Sequence, residues 1–222
     1  MSRSVFLGLA AAAIVCGMSA LSAHADSIVY TLGVGDTSIG GYPGPYATVT
    51  VFRDTTTTAR LYFVSETNGG NIYLMGNEGS VAANINAASW SVSAIAGHLT
   101  GFTLSSSNSG GAGNEGGFGS FDQTINSNYG FTYATSSIGL WVTNTSGTWA
   151  TAGDVLIPNA DGYSVAAHVF VTSNPANVSN GALATGFVAN GNPVPLPAAA
   201  WTGMSVLGLL GVGSRLRKKL HC

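Results

Sequence analysis

Apolar and polar residues alternate along most of the central part of the chain, and this alternation predicts β-strands. Residues 47–52 and 59–64 are rich in β-branched and aromatic side chains, and a threonine-rich segment at residues 54–58 separates them. A period of two places every second side chain on the same face of a sheet. The two runs therefore predict an antiparallel hairpin. Similar runs predict further strands at residues 27–32, 71–75, 81–85, 90–95, 99–104, 138–143, 165–171 and 183–188.

The strand pattern predicts an all-β fold with a single domain over residues 26–192. Glycine, asparagine and serine interrupt the apolar runs at short intervals, and this region lacks an apolar stripe at helical spacing. Many short strands separated in this way are typical of an antiparallel β-sandwich or a jelly-roll-like barrel. The glycine- and serine-rich residues 105–119 predict one long mobile loop within the domain.

At the N-terminus the alternation gives way to a continuous apolar stretch. Arg3 precedes this alanine-rich stretch, and Ala23 and Ala25 form a small-x-small motif after it. These elements in this order are typical of a secretory signal peptide. We therefore predict a signal peptide over residues 1–25 and a mature chain that begins at Asp26.

Two alternatives apply to the N-terminal segment. It would act as a permanent anchor if the signal peptide were not cleaved. Cys16 would carry a lipid if the segment were a lipoprotein signal, but Val15 stands before it, where such a signal has a small residue.

The C-terminal residues 193–222 combine a proline motif, an uncharged apolar stretch and a basic cluster, in that order. The apolar residues 198–214 would form a helix about 25 Å long, close to the hydrocarbon thickness of about 30 Å. Basic residues are retained on the cytoplasmic side, and tryptophan favours the headgroup level. We therefore predict a C-terminal transmembrane helix with the β-domain outside the membrane; a buried helix of a soluble domain is the alternative. The signal comprises Val194, Pro195, Leu196, Pro197, Trp201, Arg215, Arg217, Lys218 and Lys219.

Together with the signal peptide, this tail resembles the sorting signal of PEP-CTERM proteins, a class of exported bacterial proteins. Pro195-Leu196-Pro197 stands where the usual motif has Pro-Glu-Pro, as in a Val-Pro-Leu-Pro variant of the signal. The resemblance implies processing by an exosortase, a membrane-embedded enzyme, in a Gram-negative bacterium that makes extracellular polysaccharide. It also implies a transient anchor in the inner membrane, followed by a place at the cell surface or in the extracellular biofilm matrix.

Short segments of the central domain are similar to a domain that is common in PEP-CTERM proteins. They lie at residues 117–122, 148–150, 154–156, 166–170 and 185–187. This similarity implies a shared architecture and carries no activity with it.

Composition excludes some partners and some chemistry. Charged residues make up only 7% of the chain, against about 25% in ordinary globular proteins. Within residues 26–192, nine acidic residues stand against Arg53 and Arg60, so the formal charge of the domain is −7. A surface for nucleic acid needs clustered Lys and Arg, so nucleic acid is excluded as a partner.

The cysteines are Cys16 and Cys222, so the domain has neither a disulfide nor a thiolate metal ligand.

Two oxygen-rich clusters are candidates for calcium, which takes roughly six to eight oxygen ligands. They comprise Asn114, Glu115 and Asp122 in one cluster and Asp154, Asn159 and Asp161 in the other. Neither cluster has the carboxylate spacing of an EF-hand loop or an RTX repeat. Asp154 and Asp161 are the calcium candidates that we retain, with ordinary turn residues as the alternative, and we predict no cofactor.

The sequence contains no assembled catalytic motif. His98 and His168 lack the His-x-x-x-His spacing of zinc enzymes, and we expect His168 to be half-buried and hydrogen-bonded in a strand. The serines lack a Gly-x-Ser-x-Gly elbow. An acid pair for glycoside hydrolysis would have to come from Asp122, Asp154 and the three glutamates,. We therefore predict that the protein is not an enzyme, with a secreted hydrolase as an alternative.

Aromatic side chains offer a route to sugar binding, because their flat and largely apolar rings can stack on sugar faces. The candidates are Tyr42, Tyr46, Tyr129, Trp141 and Trp149. The alternative is that Trp90, Trp141 and Trp149 fill the core. The sequence thus predicts an exported surface or matrix protein of unspecified activity. A carbohydrate-binding module for extracellular polysaccharide is the alternative, and it requires at least two aromatic residues exposed on one face.

Overall fold

A computed structural model describes residues 26–94, 101–106, 113–127, 129–173 and 181–191. The predicted signal peptide and C-terminal sorting signal lie outside the described residues. In the part that is described, none of the helices has the length and apolar character needed to cross a membrane.

The described residues form β-strands and two short 3₁₀ helices. The strands are β1 (Asp26–Gly35), β2 (Ala47–Arg53), β3 (Thr58–Ser65), β4 (Thr67–Asn68), β5 (Asn71–Met75), β6 (Val81–Ala83), β7 (Trp90–Ala94), β8 (Phe102–Ser106), β9 (Gly113–Asn114), β10 (Ser120–Phe121), β11 (Gln123–Ser127), β12 (Ser137–Asn144), β13 (Val165–Ser173) and β14 (Ala184–Asn190). The 3₁₀ helices are Gly130–Tyr133 and Ala152–Asp154. Each predicted run of alternating residues overlaps one of these strands, which confirms the all-β class.

Twelve of these strands belong to one large antiparallel sheet. Its main path runs β7-β12-β3-β2-β1-β14-β13-β6-β11-β8, and β5 pairs with β13 and β4. Strand β1 lies between β2 and β14, so the first strand of the domain is held by its last strand. Strands β9 and β10 form a separate two-stranded hairpin. The sheet curls around a core that includes Val49, Leu61, Phe63, Leu140 and Trp149.

The predicted hairpin is present and explains one wall of the core. In β2, β3 and β12 every second residue is buried, and the residues between them are more exposed. The cross-strand pairs Val51–Leu61 and Leu61–Leu140 show that the three strands are in register. One face of this three-stranded segment therefore packs on the core, and the opposite face points outward.

Strand β13 is built differently, because its residues are buried on both faces. All residues from Val165 to Thr172 are buried, as expected for a strand whose apolar residues run nearly without interruption. Val169 and its alternate neighbours join the main core. Ala166 belongs to a second, smaller core with Phe118 and Phe121, which come from the β9–β10 hairpin. This hairpin therefore covers the outer face of β13.

The prediction of one long mobile loop at residues 105–119 is wrong for the residues that are described. Ser105 and Ser106 lie in β8 and pair with β11. Residues 113–121 form the β9–β10 hairpin instead of a loop, because Phe118 and Phe121 bury their rings in the second core. Glycine and serine content alone does not show whether a neighbouring aromatic residue has an apolar surface to cover.

Candidate functional site

Two regions of the described chain present side chains with functional chemistry. The first is the outward face of β2, β3 and β12, which we call the aromatic face and define by Phe52, Arg60, Tyr62 and Trp141. Phe52 is paired with Arg60, and Arg60 is paired with Trp141. Because directly paired residues lie on the same side of a sheet, the three side chains form a row across the strands.

Arg60 is the centre of this row. Its guanidinium carbon lies 5.2 Å from the ring centre of Phe52 and 5.3 Å from that of Trp141. Its Nη2 and Nε atoms donate to the Asp54 carboxylate over 2.6 and 2.8 Å. The hydrogen bond to Asp54 raises the pKa of Arg60 further above its usual value. Cation–π contacts and a fork-shaped ion pair fix the guanidinium, which in turn holds both rings.

The side of Trp141 away from Arg60 has a small neighbour. Trp141 is paired there with Ser93 of β7, and Gly139 is paired with Tyr62 in the next row. Tyr62 also contacts Phe52 edge-on, with ring centres 6.1 Å apart. The Trp141 side chain is 39% exposed, so it presents apolar ring surface to solvent from a rigid strand.

The other aromatic candidates are divided between core and surface. Trp149 is 1% exposed, and its indole N–H donates to the Asn86 carbonyl over 2.8 Å. Trp90 is also buried, and its indole N–H donates to Gln123 Oε1. The core interpretation is therefore confirmed for both and is wrong for Trp141, whose position in β12 alternates with buried Leu140 and Val142.

The tyrosines among the candidates differ in the same way. Tyr46 is buried and Tyr42 is half-buried, and the Tyr46 hydroxyl donates to the Tyr42 carbonyl over 2.9 Å. Tyr129 is 57% exposed and contacts Tyr133 edge-on at 4.7 Å. Tyr129 precedes β12 rather than lying in it, so it does not share the cross-strand row of the aromatic face.

The second region is a cavity of about 330 Å³ beside the second core, which we call the Glu115 cavity. It is lined by Glu78, Gly79, Gly113, Asn114, Glu115, Asn126 and Phe187. One wall is the turn between β5 and β6, and another is the β9–β10 hairpin. These walls come from segments far apart in sequence and are brought together by the sheet.

Backbone hydrogen bonds hold both walls. The Gly79 N–H donates to Asn126 Oδ1 over 2.7 Å, and the His168 N–H donates to the Gly79 carbonyl over 2.9 Å. In the hairpin, the Glu115 N–H donates to the Gly119 carbonyl over 3.0 Å, and the Phe118 N–H donates to the Glu115 carbonyl over 2.8 Å. The positions of Gly79 and Glu115 are therefore set by the fold.

Glu115 is the most unusual ionisable group in this region. It is 4% exposed, and burial, followed by the nearby charge of Glu78, raises the pKa of its carboxyl to about 7. No described residue donates a hydrogen bond to its carboxylate. The carboxylate lies against Gly79, which has a φ of 65°, and a Cβ at that position would overlap it.

His168 has a structural role beside this cavity. Its ring stacks on those of Phe170 and Phe187, with ring centres 5.3 and 4.4 Å away. Its Nδ1 lies 3.2 Å from the Glu78 carbonyl, which can only accept, so Nδ1 carries the proton,. Its Nε2 lies 2.7 Å from Thr185 Oγ1 and accepts from that hydroxyl. The predicted hydrogen bonding is confirmed, whereas the burial is more complete than predicted; burial lowers the pKa of this imidazole.

The acids retained as calcium candidates have other contacts. The Asp154 carboxylate accepts from the Thr151 N–H over 2.7 Å and from the Thr151 hydroxyl over 3.0 Å, which caps a 3₁₀ helix. The Asp161 carboxylate lies against Gly119. Within the described ranges, no group of three or more His, Cys, Asp or Glu side chains could hold a metal ion.

Asp122 and Asp26 also bind the backbone. Asp122 Oδ1 accepts from the Ile85 N–H over 2.9 Å, and burial raises the pKa of its carboxyl to about 6. Asp26, the first residue of β1, accepts from the Ala152 N–H over 2.5 Å and lies 3.8 Å from Arg53 Nε. His98, the cleavage residues Ala23 and Ala25 and the sorting signal lie outside the described residues.

In comparisons with known proteins, no family model, no curated protein and no solved structure matches this chain. The class that the described residues define is an all-β protein with one large curled antiparallel sheet. The sequence did not predict that Glu78 and Glu115 line the same cavity, because several strands separate the two residues along the chain. The exposure of Trp141 had a signal in the alternation of Leu140, Trp141 and Val142.

Proposed function

We propose that this protein is an exported cell-surface or extracellular-matrix protein that binds a neutral polysaccharide through its aromatic face. The observation that carries the proposal is the 39% exposed indole of Trp141, held by Arg60 on the outward face of the sheet. The rings of Phe52 and Tyr62 on the same face are partly exposed and extend its aromatic surface. A sugar ring offers an apolar C–H surface, which a flat indole can cover. Polar groups at the edge of the same face would then orient the sugar hydroxyls.

The composition of the face favours a glycan over a protein partner. Arg60 and Asp54 already satisfy each other in an ion pair, and they present N–H groups and carboxylate oxygens beside the rings. Convergent polar groups around an apolar surface are typical of small-ligand recognition. The formal charge of −7 over residues 26–192 would repel a polyanion, so a neutral polysaccharide is the expected class.

Export and sorting are supported by the two ends of the sequence. The signal peptide before Asp26 and the Pro-x-Pro, apolar and basic elements after Gly191 frame the β-domain. In this proposal the tail is a transient inner-membrane anchor that an exosortase processes, and the mature protein reaches the cell surface or the biofilm matrix. The sandwich or jelly-roll arrangement predicted from the strand spacing is part of the same proposal.

The test is binding of the purified protein to insoluble neutral polysaccharides in a co-sedimentation assay. Trp141→Ala should lower the affinity about five- to thirtyfold, since one well-placed aromatic contact is worth about 1–2 kcal/mol. Tyr129→Ala is the matched control, because it removes an exposed aromatic ring outside the aromatic face, and it should bind as the wild type does. Equal binding by Trp141→Ala and the wild type would contradict the proposal.

A further inference from the structure

The Glu115 carboxylate is a buried charge-bearing group without a hydrogen-bond donor among the described residues. A buried carboxylate is normally paired, hydrogen-bonded or bound to a metal, because its charged form is costly away from water. Glu115 lines a cavity of about 330 Å³ together with the carboxylate-bearing Glu78. The cavity therefore leaves room beside the Glu115 carboxylate for a partner that the described residues do not supply.

We propose that the Glu115 cavity binds a divalent cation of the calcium type. Glu78 and Glu115 would supply two negative charges, and both residues line the cavity. Glu115 is buried and Glu78 lines the same cavity, and two like charges at short range repel each other. A dication would neutralise the pair and give Glu115 its missing partner.

The donor atoms suit calcium better than a transition metal. Glu78, Glu115 and Asn114 line the cavity. Their side chains carry hard oxygen donors, which favour calcium or magnesium. Asn114 Oδ1 accepts from the Gly117 N–H over 3.3 Å, and a carbonyl oxygen has a second lone pair. Both nitrogens of nearby His168 are engaged by Glu78 O and Thr185 Oγ1. Calcium accepts irregular geometry and keeps water ligands, whereas magnesium demands an octahedron.

The two carboxylates belong to different segments, which gives the cation a structural consequence. Glu78 lies in the turn between β5 and β6, and Glu115 lies in the hairpin whose Phe118 and Phe121 cover β13. A cation between them would tie the hairpin to the main sheet. Ligand binding to the folded state alone stabilises it, so calcium should raise the melting temperature of the protein.

The experiment is a calcium titration of the full purified protein by isothermal calorimetry, with thermal unfolding in calcium and in chelator. We expect one site with a dissociation constant of about 10⁻⁴ to 10⁻³ M, the range of extracellular calcium modules. Magnesium should bind at least about tenfold more weakly. Absence of calcium binding by the wild type at millimolar concentrations would overturn the proposal.

Three Glu→Gln variants locate the site. Glu115→Gln and Glu78→Gln should each weaken calcium binding at least about tenfold, because each removes one charged ligand. Glu66→Gln is the matched control, since Glu66 accepts from the Thr48 hydroxyl outside the cavity, and it should bind as the wild type does. Glu78 is exposed, so its variant keeps the test valid if Glu115→Gln fails to fold. Unchanged calcium affinity in Glu78→Gln, or in a folded Glu115→Gln variant, would contradict the proposal.

Discussion

The strands of the β2–β3–β12 segment are buried on one face, whereas β13 is buried on both faces. In the first, one face packs on the core and the other displays Phe52, Arg60 and Trp141. In the second, β13 is buried on both faces, and its outer cover is the β9–β10 hairpin. The exposed face is open to a large ligand, whereas the covered face encloses Glu115 in a cavity.

Substitutions at the two candidate sites should therefore affect the stability of the fold to different degrees. Trp141 and Arg60 lie on a strand surface whose interior side is already complete, so substitution there should affect binding more than folding. Phe121 and Glu115 lie between layers, so substitution there should affect folding directly.

Truncation of one aromatic ring in each region should give the largest difference in unfolding free energy between the two regions. Phe121→Ala should lower the free energy of unfolding by about 3–5 kcal/mol, because it leaves a cavity at a fully buried position,. Trp141→Ala should cost below about 1 kcal/mol, mainly through its contact with Arg60,. Denaturant unfolding of both variants measures the difference. Equal losses of unfolding free energy would mean that the β9–β10 hairpin does not contribute to a buried core.

An added methyl group tests the close contact between the hairpin and the β5–β6 turn. Gly79→Ala should cost about 2–3 kcal/mol, since it combines a positive φ with overlap on the Glu115 carboxylate,. Gly130→Ala is the control, because Gly130 has a φ of 55° and open space at its Cβ position. Its cost should be about 1 kcal/mol. Chemical denaturation in calcium-free buffer measures both, and equal costs would remove the evidence for close packing at Gly79.

Burial of the Asp122 and Glu115 carboxyls predicts a smaller effect, a dependence of the unfolding free energy on pH. Burial raises the pKa of Asp122 from 3.8 to about 6, so between these values the folded protein binds more protons than the unfolded chain. Stability from this group is therefore present at low pH and lost as the pH rises through about 6. Glu115 acts in the same direction from 4.5 to about 7. His168, whose pKa is lowered, acts in the opposite direction below 6.5.

Asp122→Asn isolates one of these contributions. An amide at this position can still accept the Ile85 N–H, but it does not ionise. Relative to the variant, the wild type should lose about 1–2 kcal/mol of stability between pH 4 and pH 7 in calcium-free buffer. Unfolding free energies measured across this interval give the difference. A constant difference with pH would show that the Asp122 carboxyl has an ordinary pKa.

The sequence predicts the exposed-face region well because its physics is local. Alternation at residues 47–52 and 59–64 indicates the hairpin, and the same period in β12 places Trp141 opposite Leu140 and Val142. Applying that alternation to Trp141 would have predicted its exposure. Assigning tryptophan to the core by its size alone leads to the wrong result.

The covered region is less predictable because its determinants are distant in sequence. Strand β11, Gln123–Ser127, has a polar sequence but is buried between β6 and β8, so its pattern does not indicate a strand. Phe118 and Phe121 fold the glycine-rich segment onto β13, whose register with β14 and β6 only the folded sheet defines. Glu78 and Glu115 meet for the same reason.

Tryptophan fluorescence is the decisive test of polysaccharide binding through the aromatic face, because among the described tryptophans Trp90 and Trp149 are buried and Trp141 is exposed. Acrylamide quenching is measured with and without a saturating neutral oligosaccharide, and the Trp141→Phe variant supplies the baseline. We predict that the oligosaccharide reduces the quenching of the wild type and leaves that of the variant unchanged. The same protection in both proteins, or none in either, would contradict polysaccharide binding through the aromatic face.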